Sequence, residues 1–488
     1  MQPEEQLMQE RIKKLDKLDK LGISPYPYKF EQKNFSQDVL DKYGKLKNEE
    51  KTKDKVSMAG RIMTLRPMGK IGFGHLQDFK GKIQFFINEK EMTKKEFEIF
   101  NLLDLGDIIG IEGSVFRTKA GEITILVKKL ELLTKSLRPL PDKYHGLKDI
   151  EERYRKRYVD LIVNPEVKEI FIKKFKIINS VREALNKEDY VEVETPIVQT
   201  IYGGANAKPF KTHVNDLKRD AYLRISDELF LKRLIVGGFD RVYEMSKDFR
   251  NESIDTIHNP EFTMIEYYQA YADYNEMMKL TEKIIINANK SIGNKEIIEF
   301  DNNKIDLKSP FKIMTMKDAI KTYGKIEVDK LNDKELFKLK DKYKLEFQGT
   351  LTRGWVIQLL FEHFCEEHLI QPTFIIEHPR ETTPLCKGSR KNKELIERFE
   401  LFISGMEMSN GYSELNNPII QRKLLEEQAK ELRAGFEEAN PMDEDFVRAI
   451  EQGMPPTGGV GIGIDRLTMV LTNNNSIKEV ILFPMMKN

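Results

Sequence analysis

The stretch FRNESIDTIHNPEF, residues 249–262, sets Arg250 and Glu252 at the end of one strand-like run and Phe262 at the start of another, with His258, Asn259 and Pro260 between them. Strand side chains alternate with period two, so Glu244, Ser246, Asp248, Arg250 and Glu252 share one face if the strand runs through. On the following run the matching face carries Phe262, Met264, Glu266 and Tyr268. Joined through SIDTIHNP, the two make an antiparallel hairpin that presents an arginine, two carboxylates and two aromatics to one volume. A solvated sheet edge explains the charges of one such strand, but two consecutive strands with the same pattern weigh against it.

A second hairpin is read in ERFELFISGMEMSNGYSELN, with its turn near residues 403–406. Glu400 and Glu407 then face each other across the ladder, where like charges destabilise. A cation relieves that repulsion, and a few oxygen ligands beside a nucleotide are the usual seat of Mg²⁺. Asn410, Tyr412 and Glu414 share a face, whereas Glu407 has the opposite parity, so one pocket for all four requires a bulge, expected near Gly411. In GGVGIGIDRLTMVLTN, Gly459, Gly461 and Gly463 leave one face bare for the approach of a flat ligand, and Arg466 opens a helix. Neither GxxxxGK[ST] nor a GxGxxG opening a helix is present. The three pieces together indicate a nucleotide site on an antiparallel sheet, with an arginine at each end.

The 488 residues accommodate about three domains. Lys plus Arg number 80 against 79 for Asp plus Glu, so overall charge makes no case for a polyanion partner and any nucleic-acid face must come from local clustering. Cys365 and Cys386 are too few for a disulfide framework and lack metal-ligand spacing, which fits a reducing cytoplasm. No apolar run is long enough to span a membrane and the start lacks a secretory signal, so a soluble, cytoplasmic protein without membrane partners is expected.

Met8, Ile12, Leu15 and Leu18 predict an amphipathic helix that Gly22 stops, within a leading segment at 1–53; its lysines are candidates for RNA contact. Between 54 and 135, five short runs (VSMAGRIM, IGFGHLQDF, KIQFFI, DIIGIEGSVF and EITILVKKLELL) predict a five-stranded Greek-key barrel of the OB type, a fold that binds single-stranded nucleic acid through aromatic and basic residues. Phe73, Phe85, Arg66 and Lys70 are candidates there, although a barrel needs some of those rings inside. A proline-punctuated connector at 136–155 leads to one α+β unit at 156–488, in which 270–345 reads as a lysine-rich helical insertion.

These residues resemble class II lysyl-tRNA synthetase of the bacterial type. FKIINSVREALNKEDYVEVETPIV is similar to motif 1, RVYEMSKDFRNESIDTIHNPEFTMIEYY to motif 2 and GGVGIGIDRLTMVLTNNNSIKEVILFP to motif 3, while GGANAKPF, LRISDELFLKRLIVGGFDRVYE and NGYSELN narrow the likeness to the lysine enzyme. The resemblance implies an antiparallel-sheet catalytic domain flanked by helices behind the barrel, a homodimer formed through motif 1, and the substrates ATP, L-lysine and tRNA(Lys). It implies that Arg250 meets the α-phosphate and the amino-acid carboxylate and that Glu252 meets the adenine amino group. Phe262 and Arg466 would stack on either side of adenine, His258 and Asn259 lie along ATP, and Glu400 and Glu407 hold Mg²⁺. For lysine it implies Gly204 and Glu228 at the α-amine, Asn410 at the carboxylate, and Glu414, Tyr268 and Glu266 at the ε-ammonium, with Tyr412 nearby. In the barrel it implies Arg66, Phe73, Gln84 and Glu122 at the anticodon.

The chain departs from the family pattern at four places: SDE stands where APE is common, Lys208 replaces an arginine, Ser409 a glycine and Tyr412 a phenylalanine. None removes a charge that the chemistry needs, and Tyr412 is expected to add a hydrogen bond near lysine. An aspartyl or asparaginyl enzyme would require a basic residue where Glu414 stands, and the ligase that lysylates elongation factor P lacks the barrel. An inactive RNA-binding paralogue has no use for the arginines and carboxylates of an ATP site.

Overall fold

The computed structural model describes residues 3–141, 147, 149–347, 349–436 and 439–487. Two compact units divide the chain, residues 1–148 and 149–488. Part of the expected connector, 142–146 and 148, lies outside the described residues; the remainder is narrower than 136–155, since Arg11 donates to the carbonyls of Ser136 and Arg138, and Ile150–Arg155 is already helical.

In the first unit, strands β1 (Lys51–Met68), β2 (Ile71–Gln77), β3 (Lys82–Asn88), β4 (Ile108–Arg117) and β5 (Ile123–Thr134) close into a barrel in the order β1-β2-β3-β5-β4. Alternation decides which residues fill it: Ile83, Phe85 and Ile87 point inward and are buried, while Gln84 and Phe86 stand between them on the outer face. Phe85 is therefore core and not a stacking platform, and a Cβ at Gly74, opposite it in the ladder, would collide with its ring. A helix that the strand pattern hid, Lys94–Leu102, lies between β3 and β4, starts at a Thr93/Glu96 capping box and buries Ile99 and Phe100. The leading helix, Pro3–Lys20, packs Leu15 and Leu18 on the barrel core, and its Lys14 is paired with Asp104 at 2.6 Å.

The second unit is built on an eight-stranded sheet. Its order runs Lys312–Thr315, Thr373–Pro379, Leu395–Ile403, Met406–Ser413, Thr457–Gly463, Glu261–Ala270, Arg241–Phe249 and Val191–Glu192; neighbours are antiparallel except for the outermost pair at each edge. The helices Pro165–Asn186, Tyr274–Ser291 and Ile464–Thr472 cover one face with a common apolar core.

The reading of 270–345 as a helical insertion fails over its first half. Tyr274–Ser291 belongs to the main core through Ala288 and through Met277, Ile284 and Ile285, whose buried side chains are each worth about 1.5–3 kcal/mol. A short hairpin follows, Ile297–Phe300 with Asn303–Asp306, and Lys312–Thr315 is the edge strand of the sheet. Only from Met316 onward does the segment join Arg353–Phe364 in a separate helical cluster. Lysines on the outer faces concealed the apolar stripe beneath them.

Candidate active site

The glycine strand joins the two hairpins, and the first hairpin has the register that the sequence parity requires. Glu244 pairs with Glu266, Ser246 with Met264 and Asp248 with Phe262, and the Glu261–Ala270 strand adds Gly463, Gly461 and Gly459 opposite Met264, Glu266 and Tyr268. Asn410 and Tyr412 face Gly461 and Gly459 from the other side. Across this surface opens a cavity of about 360 Å³ lined by Arg250, Glu252, His258, Asn259, Phe262, Glu266, Tyr268, Glu400, Glu407, Asn410, Tyr412, Glu414, Gly204, Glu228 and Arg466. All the catalytic-unit residues expected from the sequence thus converge on one volume.

The polar face is not a solvated edge. Glu244, Asp248 and Glu266 are buried, and Arg224 lies 2.6 Å from Glu244, 3.0 Å from Asp227 and 3.3 Å from Asp248. Burial and mutual repulsion push Asp227 up to about 10 and Asp248 and Glu266 up to about 7. Asp227, Asp248 and Glu266 also lie close enough together for one cation, but Arg224 and Ser226, which donates to Glu266 at 2.6 Å, already serve them.

At one end of the cavity, Arg250 follows directly on the Arg241–Phe249 strand; its backbone N donates to Pro260 O at 2.9 Å and its guanidinium lies 5.1 Å from the centre of the Phe262 ring. Asp255 closes the intervening loop by accepting from the backbone of Ile257 and His258, both at 2.8 Å. His258 Nδ1 is 2.8 Å from Asp255, and its Nε2 accepts from Arg466 Nη2 at 2.8 Å. Glu252 accepts from the backbone of Lys208, and Asn259 donates to Glu261 O.

The second hairpin turns at Ser404–Gly405, both at positive φ, which suits a two-residue loop. Glu400 does not face Glu407: it stands opposite Asn410, whereas Glu407 stands opposite Phe402. Met408 is the extra residue between them, so the bulge the parity demanded lies at Met408 and not near Gly411. It brings Glu407 onto the face of Asn410 and Tyr412. Burial, followed by the charge of Glu400, raises Glu407 above the usual carboxylate range, and Arg398 contacts Glu400. A divalent cation fits this pair, since it relieves their repulsion and takes oxygen donors.

At the opposite end, Glu228 opens the helix Glu228–Val236, and Tyr268 donates to Glu266 at 3.0 Å. Asn410 accepts from Arg398 and donates to the Tyr412 hydroxyl at 3.2 Å, so the hydrogen bond expected of Tyr412 goes to Asn410. The glycine face is not bare throughout: at Gly459 a Cβ would collide with Glu414 Oε1 and the Tyr268 ring, which occupy that space.

On the barrel, Arg66 pairs with Phe73, whose ring lies 4.5 Å from that of Phe86 on the outer face. Gln84 donates to Glu122 at 2.6 Å, and Glu122 is 2.8 Å from His75. Of the four residues expected at the anticodon, Arg66, Phe73 and Gln84 occupy adjoining strands and Glu122 directly precedes β5, with Phe86 against Phe73 and His75 against Glu122. Lys70 is exposed and paired with Glu89.

Comparison with known proteins agrees with this geometry. Residues 149–487 match the model of class II tRNA synthetases (D, K and N), and residues 56–133 match the OB-fold nucleic acid binding domain. The chain belongs to the class II tRNA synthetases. Among relatives, a lysine–tRNA ligase of Methanoculleus marisnigri is 48% identical over 98% of this chain and 94% of its own length. Those of Clostridium novyi and Thermoanaerobacter pseudethanolicus are 48% and 49% identical over 99% of this chain and 94% and 96% of theirs.

The cavity and the layer packed behind it include residues that sequence reasoning passed over. Arg398 lies two residues before Glu400 and so shares its face, a signal the parity argument contained. Lys232 lies one helical turn beyond Glu228, but a lysine in a charged chain reads as solvated, and here its side chain is fully buried. Arg224 and Asp227 carry no comparable pattern.

Proposed function

We propose that the chain is a lysine–tRNA ligase, which activates L-lysine with ATP to lysyl-adenylate and pyrophosphate and transfers lysine to the 3′-terminal adenosine of tRNA(Lys). The observation that carries this reading is the polarity of one cavity. Arg250 and Arg466 flank its nucleotide end, and Glu228, Glu266 and Glu414 line the other.

A lysine carboxylate held by Arg250 and Asn410 attacks the α-phosphorus in line, and the α–β bridging oxygen leaves with pyrophosphate. The ribose 3′-hydroxyl then attacks the adenylate carbonyl; AMP leaves, and the hydroxyl proton passes to phosphate or solvent. No side chain becomes covalently attached. Arg250 steadies the charge developing on the α-phosphate, and Arg466 the polyphosphate, by fixed electrostatics and positioning. Phe262 and Arg466 sandwich adenine, Glu252 accepts from its amino group, and His258 and Asn259 border the nucleotide. Glu400 and Glu407 would hold Mg²⁺, which when bound neutralises polyphosphate charge.

Glu228 and Gly204 receive the α-amine; Glu414, Glu266 and Tyr268 the ε-ammonium, with Tyr412 orienting Asn410. An ammonium about 4 Å from a carboxylate gains roughly 4 kcal/mol at an effective dielectric of 20, and a ligand without it leaves a buried carboxylate unpaired. Arg66, Phe73, Gln84 and Glu122 form the anticodon surface. Phe175 and Val191 of the motif 1 elements are exposed, which supports a two-fold pairing of subunits. The free thiols Cys365 and Cys386 suit the cytoplasm.

Charging of a tRNA(Lys) transcript with labelled lysine tests the reading. Lysine ester-linked to the transcript is expected; charging with another amino acid instead of lysine would overturn it.

A further inference from the structure

Behind the carboxylate-lined end of the cavity lies an ammonium of the chain's own. Lys232 has no exposed side-chain surface; its Nζ lies 2.5 Å from Glu228 Oε1 and touches Glu414 Oε2. Burying a lysine costs several kcal/mol unless it is paired, so the two carboxylates dictate its place. The third carboxylate, Glu266, has only neutral donors among the described residues: the Ser226 hydroxyl, the Asp227 backbone and Tyr268. Arg398, with 11% of its side chain exposed, turns to Glu400 and Asn410. Fully ionised, the three carboxylates and one resident ammonium leave two negative charges, as many as the α- and ε-ammonium groups of a free lysine compensate. Glu414 Oε1 has no hydrogen-bond partner among the described residues and borders the cavity beside Gly459.

We propose that Lys232 is a positioning residue for amino-acid selection: its ammonium stays between Glu228 and Glu414 in the ligand complex, holds one oxygen of each, and sets the pocket's charge for a diammonium ligand. The proposal rests on the reading of this end as the lysine subsite. The groups facing Glu414 are Lys232, Glu228, Glu266, Lys387, Tyr268, Cys386 and Tyr412. Of these, Lys232 alone pairs with it among the described residues. Without that ammonium Glu228 and Glu414 hold their protons to still higher pH and attract a second cation less at neutral pH.

The test is ATP–pyrophosphate exchange by the full chain and its Lys232→Met and Lys232→Gln variants between about pH 6 and pH 9. At pH 7 the KM for lysine is expected to rise about tenfold or more while that for ATP stays within about twofold. The excess is expected to shrink toward pH 9, with the profile displaced upward by about one pH unit. An unchanged KM for lysine, or equal and pH-independent losses for both substrates, would overturn the proposal. A crystal structure of the unmodified chain with lysine decides the matter should neither variant fold. Nζ between the two carboxylates supports the proposal, and Lys232 expelled from Glu414 by the ligand's ammonium contradicts it. Unmodified protein that ignores lysine removes the subsite reading itself; lysine-dependent exchange indifferent to Lys232 removes this proposal alone.

Discussion

Arg466 Nη2 lies 2.8 Å from His258 Nε2, tying the helix after the glycine strand to the loop between the first two hairpin strands. Asp255 on Nδ1 fixes the tautomer that leaves Nε2 as acceptor. A charged hydrogen bond of this kind is worth about 1.5–3 kcal/mol where it is sheltered, and less here because His258 is partly exposed. His258→Ala is expected to raise the KM for ATP about fivefold and leave that for lysine unchanged, as exchange kinetics read directly. A loss confined to lysine would contradict the tie.

Glu414→Gln keeps the shape of the side chain and removes its charge. Breaking a buried ion pair costs about 3–5 kcal/mol, so lysine binding should weaken at least a hundredfold while nucleotide binding persists. Titration of each ligand separately checks this, and equal losses would refute the assigned role.

Gly459→Ala drives a methyl into Glu414 and Tyr268. Overpacking of this kind costs about 1–3 kcal/mol, expected here as weaker lysine binding with near-normal ATP binding. A variant indistinguishable from the parent in KM for lysine would show that this contact does not set the subsite.

Burial holds Glu228 and Glu266 up at about 7, above their ordinary range. Two consequences follow from the sign. The folded chain binds extra protons between about pH 4.5 and 7, so these groups' contribution to stability falls as pH rises through that window. Cationic lysine prefers their ionised forms, so its KM should fall from about pH 6 to 8. A KM that is flat, or that falls on acidification, would contradict this.

Phe73→Ala removes from the proposed anticodon surface a ring whose stacking on a base would be worth about 1–3 kcal/mol. The KM for tRNA in aminoacylation should rise about tenfold, whereas exchange, which needs no tRNA, stays normal. Impaired exchange would mean that the change damages the fold.

Much of this was legible because period two is unforgiving. Parity alone placed Glu244, Asp248, Phe262 and Glu266 on one face and showed that Glu407 needed a bulge. It did not locate the bulge, because Met408 differs in nothing visible from its neighbours; only the ladder shows that it is unpaired. Lys232 and Arg224 escaped because buried cations are recognised by their partners, Glu228 and Glu414 for one and Glu244 and Asp227 for the other, and those meet only in the fold. The helix Tyr274–Ser291 was misplaced for the opposite reason: its outward lysines outweighed Met277, Ile284 and Ile285 in the reading.

ATP–pyrophosphate exchange by the unmodified chain, assayed with each of the twenty amino acids and Mg²⁺, separates a lysine-selective pocket from every alternative. Exchange with lysine is expected far above all others. Exchange driven by aspartate, asparagine or any other neutral or acidic amino acid, with lysine inert, would contradict it.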